Sequence, residues 1–311
     1  MRHRMLGRSG LSVSRMAMGT MTWGGTTGAE EARELLTSFV EAGGDFVDTA
    51  YGYGDGRAEE LLGSLVGDVV DREELVICTK AGISRESGQR VVDTSRRSLV
   101  RQLHRSLGRL GTDHVDLWLV HTWSTEVPLE ETLATLEWAV RTGLARYVGV
   151  SNYSAWQTAR AATLMEGRVP LVANESEYSL VNRVPEDELV PAAGALGVGL
   201  LPWSPLGRGV LTGKYRHGIP ADSRASSGEV GDFAARFLDE DSRQVVEAVV
   251  TAARGLGVSA AEVALAWVRD RPGVVAPVVG TRTLAQLRTA LQAEELELPD
   301  EIVQALEDVS D

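Results

Sequence analysis

Residues 44–54 read Gly44-Asp45-Phe46-Val47-Asp48-Thr49-Ala50-Tyr51-Gly52-Tyr53-Gly54. Phe46 and Val47 are a short β-prone run that ends in a carboxylate and breaks into glycines and tyrosines, the pattern of a strand opening into a loop. Similar runs recur at 75–79, 115–120, 147–150, 171–173, 198–201 and 274–279. Between them lie segments with a 3.6-residue apolar period, among them 29–42, 94–110 and 128–142. The last opens at Pro128 with Glu130 and Glu131 in its first turn. Continuous apolar strands separated by helices imply a parallel sheet covered on its outer face.

Both an open doubly wound sheet and a (β/α)8 barrel fit this alternation, and the quoted stretch separates them. Gly52 and Gly54 begin the spacing of a dinucleotide fingerprint, but position 57 is Arg57 where a third glycine is needed. The barrel is therefore expected, as one α/β TIM-barrel domain over residues 1–311, a length such barrels hold routinely. Its eighth strand is expected near Glu295 and Leu298. Residues 4–19 read as an N-terminal β-hairpin around Arg8-Ser9-Gly10 that plugs one end. From Gly207 to Gly213 five residues intervene where a phosphate-binding P-loop needs four. Residues 212–238 are polar and aperiodic, a length at which loops in compact domains are usually functional or disordered.

Composition narrows the function classes. The net charge of −13 argues against nucleic acid and anionic membrane surfaces, so an anionic ligand would need local Arg or Lys groups. The single cysteine, Cys78, rules out an intrachain disulfide framework and suits a reducing cytoplasm. The N-terminus is basic (Arg2, Arg4, Arg8) without a following apolar stretch, so no signal peptide is expected. No run of about 18 apolar residues occurs, so no spanning helix is expected. No Cys/His cluster has metal-ligand spacing, and no metal is expected. Oligomeric state is not legible.

Barrel enzymes carry their chemistry where strands run into the following loops. Here one strand ends in Asp48 with Tyr53 just beyond, the next in Lys80, the next in His121, and the next in Ser151-Asn152. Each has an ordinary reading alone: a turn cap, a wall aromatic, a solvated lysine, a structural histidine. Together they place a carboxylate, a phenol, an amine and an imidazole on one rim.

These residues resemble a known family. The stretch 44–54 is similar to the aldo-keto reductase signature. So are Gly149-Val150-Ser151-Asn152-Tyr153, Glu177-Tyr178-Ser179-Leu180 and Pro202-Trp203-Ser204-Pro205-Leu206-Gly207-Arg208-Gly209. The likeness runs to Gly280-Thr281-Arg282. Residues 211–214 with Ser223-Arg224-Ala225-Ser226 lean towards the branch holding bacterial reductases and potassium-channel β subunits.

The resemblance implies an NADPH-dependent reductase of a small-molecule carbonyl substrate. Tyr53 would be general acid, Lys80 the cation that lowers its pKa, Asp48 the anchor of Lys80, and His121 a donor to the carbonyl oxygen. Ser151, Asn152 and Glu175 would meet the nicotinamide carboxamide and Trp203 would stack on its ring. Ser204, Leu206, Gly209 and Lys214 would surround the pyrophosphate, and Arg224, Arg282 and Gln286 the adenosine end. Thr20, Asp48, Pro205 and Gly280 complete the cofactor set. Two arginines at the adenosine end of an acidic protein favour a 2′-phosphate, hence NADPH. Trp23 and Trp123 would join Tyr53 and His121 around substrate.

The sequence departs from the family pattern in three places. Glu175 stands where glutamine is usual, and an ionised Glu cannot donate to the carboxamide oxygen. Thr289 and Ala290 replace the usual Glu and Asn near adenine. Weaker cofactor binding than the family norm is expected. Two rival readings are a catalytically weak NADPH-binding regulatory subunit and a Schiff-base aldolase using Lys80. A lysine flanked by aspartate stays charged, which disfavours the aldolase.

Overall fold

The computed structural model describes residues 1–85, 88–216 and 236–311. Arg224 and most of the 212–238 stretch lie outside them. The first two strands, β1 (His3–Met5) and β2 (Ser12–Ser14), form an antiparallel hairpin. Eight parallel strands then close into a barrel. They are β3 (Ala17–Gly19), β4 (Phe46–Asp48), β5 (Val76–Ala81), β8 (Val115–Val120), β9 (Ala145–Ser151), β10 (Leu171–Glu177), β11 (Gly199–Trp203) and β12 (Val278–Gly280). Pairing of β12 with β3 completes the ring. The small hairpin β6 (Ile83–Ser84) and β7 (Val91–Val92) projects after β5.

Strands such as β8 are largely apolar because both of their faces are buried. In β8, Leu117 and Leu119 join the lumen cluster with Phe46, Cys78, Ala173 and Leu201. Trp118 and Val120 of the same strand pack outward among the helices. Helices begin where a side chain caps their free N–H groups: Ser95 before Arg96–Leu110, Ser259 before Ala260–Arg269, Thr283 before Leu284–Glu295. Among the described residues no single helix is long and apolar enough to cross a membrane.

The hairpin seals the N-terminal end of the barrel. Leu6 and Val13 are fully buried in the lumen cluster. Its turn is held by Arg8 N–H donating to Gly197 O at 2.7 Å. Gly7 has φ +56°, and a Cβ there would lie 2.4 Å from Val172 O, so only glycine fits against the strand ends.

The eighth strand is not where the sequence placed it. Residues Glu295 to Leu298 follow the helix Leu284–Glu295. They are held there by arginines: Arg269 donates to Glu294 O and Leu296 O, and Arg15 to the Glu294 carboxylate. The missing strand is Ala17–Gly19, which the sequence assigned to the hairpin. Its register puts Met18 beside Val47 and Val279.

Candidate active site

Every barrel strand delivers its last residues to the end opposite the hairpin. Asp48 closes β4, Lys80 lies one residue before the end of β5, and His121 follows β8. Ser151 closes β9, Glu175 sits in β10, and Trp203 closes β11. Parallel registers such as Asp48 with Cys78, and Glu175 with Ser151 and Leu201, fix their relative heights.

At the centre is a buried ammonium. Lys80 Nζ donates to Asp48 Oδ1 at 2.5 Å, to Asp48 Oδ2 at 2.6 Å and to Thr49 O at 3.0 Å. Those contacts use all three lysine donors. Glu175 Oε2 lies 3.1 Å from the same nitrogen, yet it accepts no hydrogen bond. It is a charge neighbour of Lys80 without a directed bond. Lys80 is fully buried, and Asp48 and Glu175 are each 2 % exposed.

These contacts set the protonation states. Burial opposes the Lys80 charge, but Asp48 and then Glu175 hold its pKa well above the usual lysine value. Burial, reinforced by Asp48 and opposed by Lys80, pushes Glu175 up to about 8. Burial likewise lowers His121 to about 3, with Lys80 and Arg90 adding to the effect. The Cys78 thiol is raised by burial and by Asp48, and stays neutral. Asp48, Cys78 and Glu175 offer ligand atoms within 4.8 Å of one another, but the Lys80 ammonium already sits against the two carboxylates.

Tyr53 enters from the loop after β4. Its ring centroid is 5.2 Å from Lys80 Nζ and 5.8 Å from the His121 ring, edge-on at 79°. From sequence, Lys80 is expected to make this phenol more acidic. The ammonium does act in that direction, but burial outweighs it and the net shift is upward. Tyr53 is therefore a neutral phenol at physiological pH.

A groove of about 580 Å³ starts at Asp48, Tyr53 and His121 and passes Ser151, Asn152 and Trp203. It ends at Lys214, Arg282 and Gln286. The volume is in the range of ligand sites. Asn152 is tied into its wall, donating to His121 O and Ser151 Oγ and accepting from Trp203 Nε1, each at 3.0 Å. Asn152, Ser204 and Arg208 line the groove and carry positive φ. Gly209, at φ +96°, leaves room for Lys214 Nζ where a Cβ would stand 3.0 Å away. Among the described residues neither Lys214 nor Arg282 has a carboxylate partner.

The Aldo/keto reductase family model matches residues 15–311. A probable voltage-gated potassium channel β subunit of Oryza sativa subsp. japonica is 37% identical over 300 residues, 94% of this chain and 91% of that protein. L-glyceraldehyde 3-phosphate reductase of Escherichia coli (strain K12) is 33% identical over 302 residues, 94% of this chain and 87% of that protein. An aryl-alcohol dehydrogenase [NADP(+)] of Phanerodontia chrysosporium is 31% identical over 332 residues, 99% of this chain and 85% of that protein. The chain belongs to the aldo/keto reductase family.

Most residues that the sequence named in this family member meet at the groove: Asp48, Tyr53, His121, Ser151, Asn152, Glu175, Trp203, Ser204, Pro205, Leu206, Gly209, Lys214, Gly280, Arg282 and Gln286 all line it. Lys80 lies directly beneath. Three named residues stand apart. Thr20 is fully buried, its hydroxyl donating to Asp48 O at 3.0 Å. Trp23 is 1 % exposed and packs among the helices, away from the groove wall. Trp123 stacks edge-on with Tyr153 and Trp156.

Thr212, from the 212–238 stretch, lines it too, and other lining residues were not anticipated: Met21, Thr22, Arg208 and Ser259 with Ala260 and Ala261. Ser259 was findable. Ser259-Ala260-Ala261-Glu262 is a capping-box pattern, and both of its bonds form. It marks a helix N-terminus that lines the same groove as Arg282 and Gln286.

Proposed function

We propose that this protein is an NADPH-dependent oxidoreductase that reduces an aldehyde or ketone to an alcohol, with Tyr53 as general acid. The observation that carries this reading is the Lys80 ammonium, clamped by Asp48 and lying 5.2 Å from the Tyr53 ring centroid, at the mouth of a groove that ends at Lys214 and Arg282, neither with a carboxylate partner among the described residues. NADPH fits the donor set. Lys214 and Arg282 offer positive charge in an acidic protein, and Trp203 offers a flat wall. Bound there, NADPH would supply the hydride.

The protein's own groups supply the rest. Neutral Tyr53 gives its proton to the substrate oxygen, and Lys80 steadies the phenolate that results. Asp48 keeps Lys80 charged and aimed. His121, held neutral by burial, donates one N–H toward that oxygen without competing for the proton. Asn152 locks the loop that carries His121 by accepting from Trp203 and donating to His121 O. Placing a proton donor this way contributes about 10²- to 10⁴-fold in rate.

A fluorescence titration with NADPH and NADH, followed by a panel of aldehydes, ketones, quinones and sugars, tests the reading. Tyr53→Phe should bind NADPH normally and lose about 10²- to 10⁴-fold in turnover. A channel-type regulatory role, which the rice relative brings to mind, would instead show tight NADPH binding and negligible oxidation with every carbonyl offered.

A further inference from the structure

As a charged group Glu175 has one counter-ion among the described residues, Lys80 at 3.1 Å, and shares it with Asp48. It is 2 % exposed, and its Oε2 has no hydrogen-bond donor. The cation beside it has spent its three donors on Asp48 and Thr49. Two carboxylates thus face one ammonium, and only Asp48 is hydrogen-bonded to it. When two like charges share a site, one is driven to hold its proton.

Among the described residues Glu175 makes no ion pair other than that with Lys80. Asp48 approaches from β4, Cys78 and Lys80 from β5, and Tyr53 from the loop after β4. Opposite Glu175 in register stand Ser151 of β9 and Leu201 of β11, neither of them titratable near neutral pH. Glu177, two residues along β10, is paired by Arg208 and Arg236 and takes those cations for itself.

We propose that Glu175 works as a neutral carboxylic acid, donating a hydrogen bond to the amide oxygen of the bound nicotinamide, and that loss of its proton loosens cofactor binding as pH rises. The proposal rests on the NADPH reading above. A protonated carboxyl presents one O–H donor and one carbonyl acceptor, the pattern of the glutamine side chain it replaces. Its carbonyl oxygen can face Lys80 at 3.1 Å while its O–H points into the groove that Glu175 lines. Glu175 is a positioning residue here and moves no proton to substrate.

Two measurements decide it. The first uses the protein without nucleotide: an infrared difference spectrum of wild type minus Glu175→Gln, followed from pH 6 to pH 10. A buried carboxylic-acid carbonyl band present at pH 6 and titrating away near pH 8 is expected. Its absence at pH 6 overturns the proposal. The second is NADPH titration by fluorescence at pH 7 and pH 9. The wild-type Kd should rise about tenfold, as a group titrating near 8 requires, while Glu175→Gln should stay level. Glu175→Leu, which has no donor, should bind weakly at both values. An unchanged pH slope in Glu175→Gln overturns the proposal, and so does tight binding by Glu175→Leu. Failure of the wild type to bind NADPH at any pH refutes the cofactor reading instead, and the infrared band still reports the protonation of Glu175.

Discussion

The pairing of Lys80 with two unequal carboxylates makes a prediction about stability that needs no cofactor. Asp48→Asn keeps one acceptor for the ammonium but turns the other oxygen into an amide donor. One charge-assisted hydrogen bond is lost, worth about 1.5–3 kcal/mol. Glu175 is 3.1 Å away and can ionise to take the freed lysine donor, so the net cost should fall to about 1–2 kcal/mol. Glu175→Gln alone leaves the Asp48 clamp intact and should cost less than about 1 kcal/mol. The double variant leaves a fully buried ammonium with no counter-charge, a situation that costs about 3–5 kcal/mol. The double should therefore exceed the sum of the singles by about 2 kcal/mol. Urea unfolding followed by tryptophan fluorescence and by circular dichroism would measure it. In Asp48→Asn the infrared acid band of Glu175 should also disappear at pH 7. Additivity within about 0.5 kcal/mol would refute the claim that both carboxylates answer to one lysine.

Arg282→Ala should weaken NADPH by about 10- to 100-fold, the worth of a charge-assisted contact of 1.5–3 kcal/mol, and leave NADH within about twofold. Competitive fluorescence titration reads both. Because burial holds His121 near 3, kcat/KM should show no inflection from this residue between pH 5 and 8. An inflection that vanishes in His121→Asn would contradict the assignment. The folded His121 refuses a proton that the unfolded chain accepts, so its stabilisation is present above about 6.5 and lost as pH falls. Wild type should therefore lose stability faster than His121→Asn below pH 6.5, by up to about 1.4 kcal/mol per pH unit.

The strands that the sequence revealed are those whose two faces both meet apolar partners. Val115–Val120 was found from end to end because Leu117 and Leu119 fill the lumen while Trp118 and Val120 fill the helix layer. β10 was read only to Ala173, although it runs to Glu177. Its last four residues are polar because each has a polar partner or the groove to face: Asn174 donates to Tyr153 O, Ser176 to Asn174, Glu177 pairs with Arg208, and Glu175 lines the groove, so an apolarity criterion stops short. Ala17–Gly19 escaped for a different reason. It is three residues long, has no β-branched side chain, and lies within five residues of the hairpin. Glu295-Leu296-Glu297-Leu298 imitated a half-buried strand by alternation, while the arginines that fix it to a helix end are remote in sequence. The site was legible through strand ends and motif order. What could not be read was which aromatic faces the groove: Trp23 and Trp123 flank site residues in sequence, yet neither lines it. The protonation of Glu175 was equally hidden, because it depends on how many donors Lys80 has left.

Asn152, Ser204 and Arg208 hold backbone angles that cost roughly 1–3 kcal/mol each in non-glycine residues. Glycine at Asn152 or Ser204 would relieve that tension, and selection for heat resistance would find such changes early. The same substitutions would surrender the side chains that brace Trp203 and shape the groove. Robustness and grip are thus opposed at these positions, and a hardier descendant of this enzyme would need to gain its margin elsewhere, for instance at the far end beneath Leu6 and Val13.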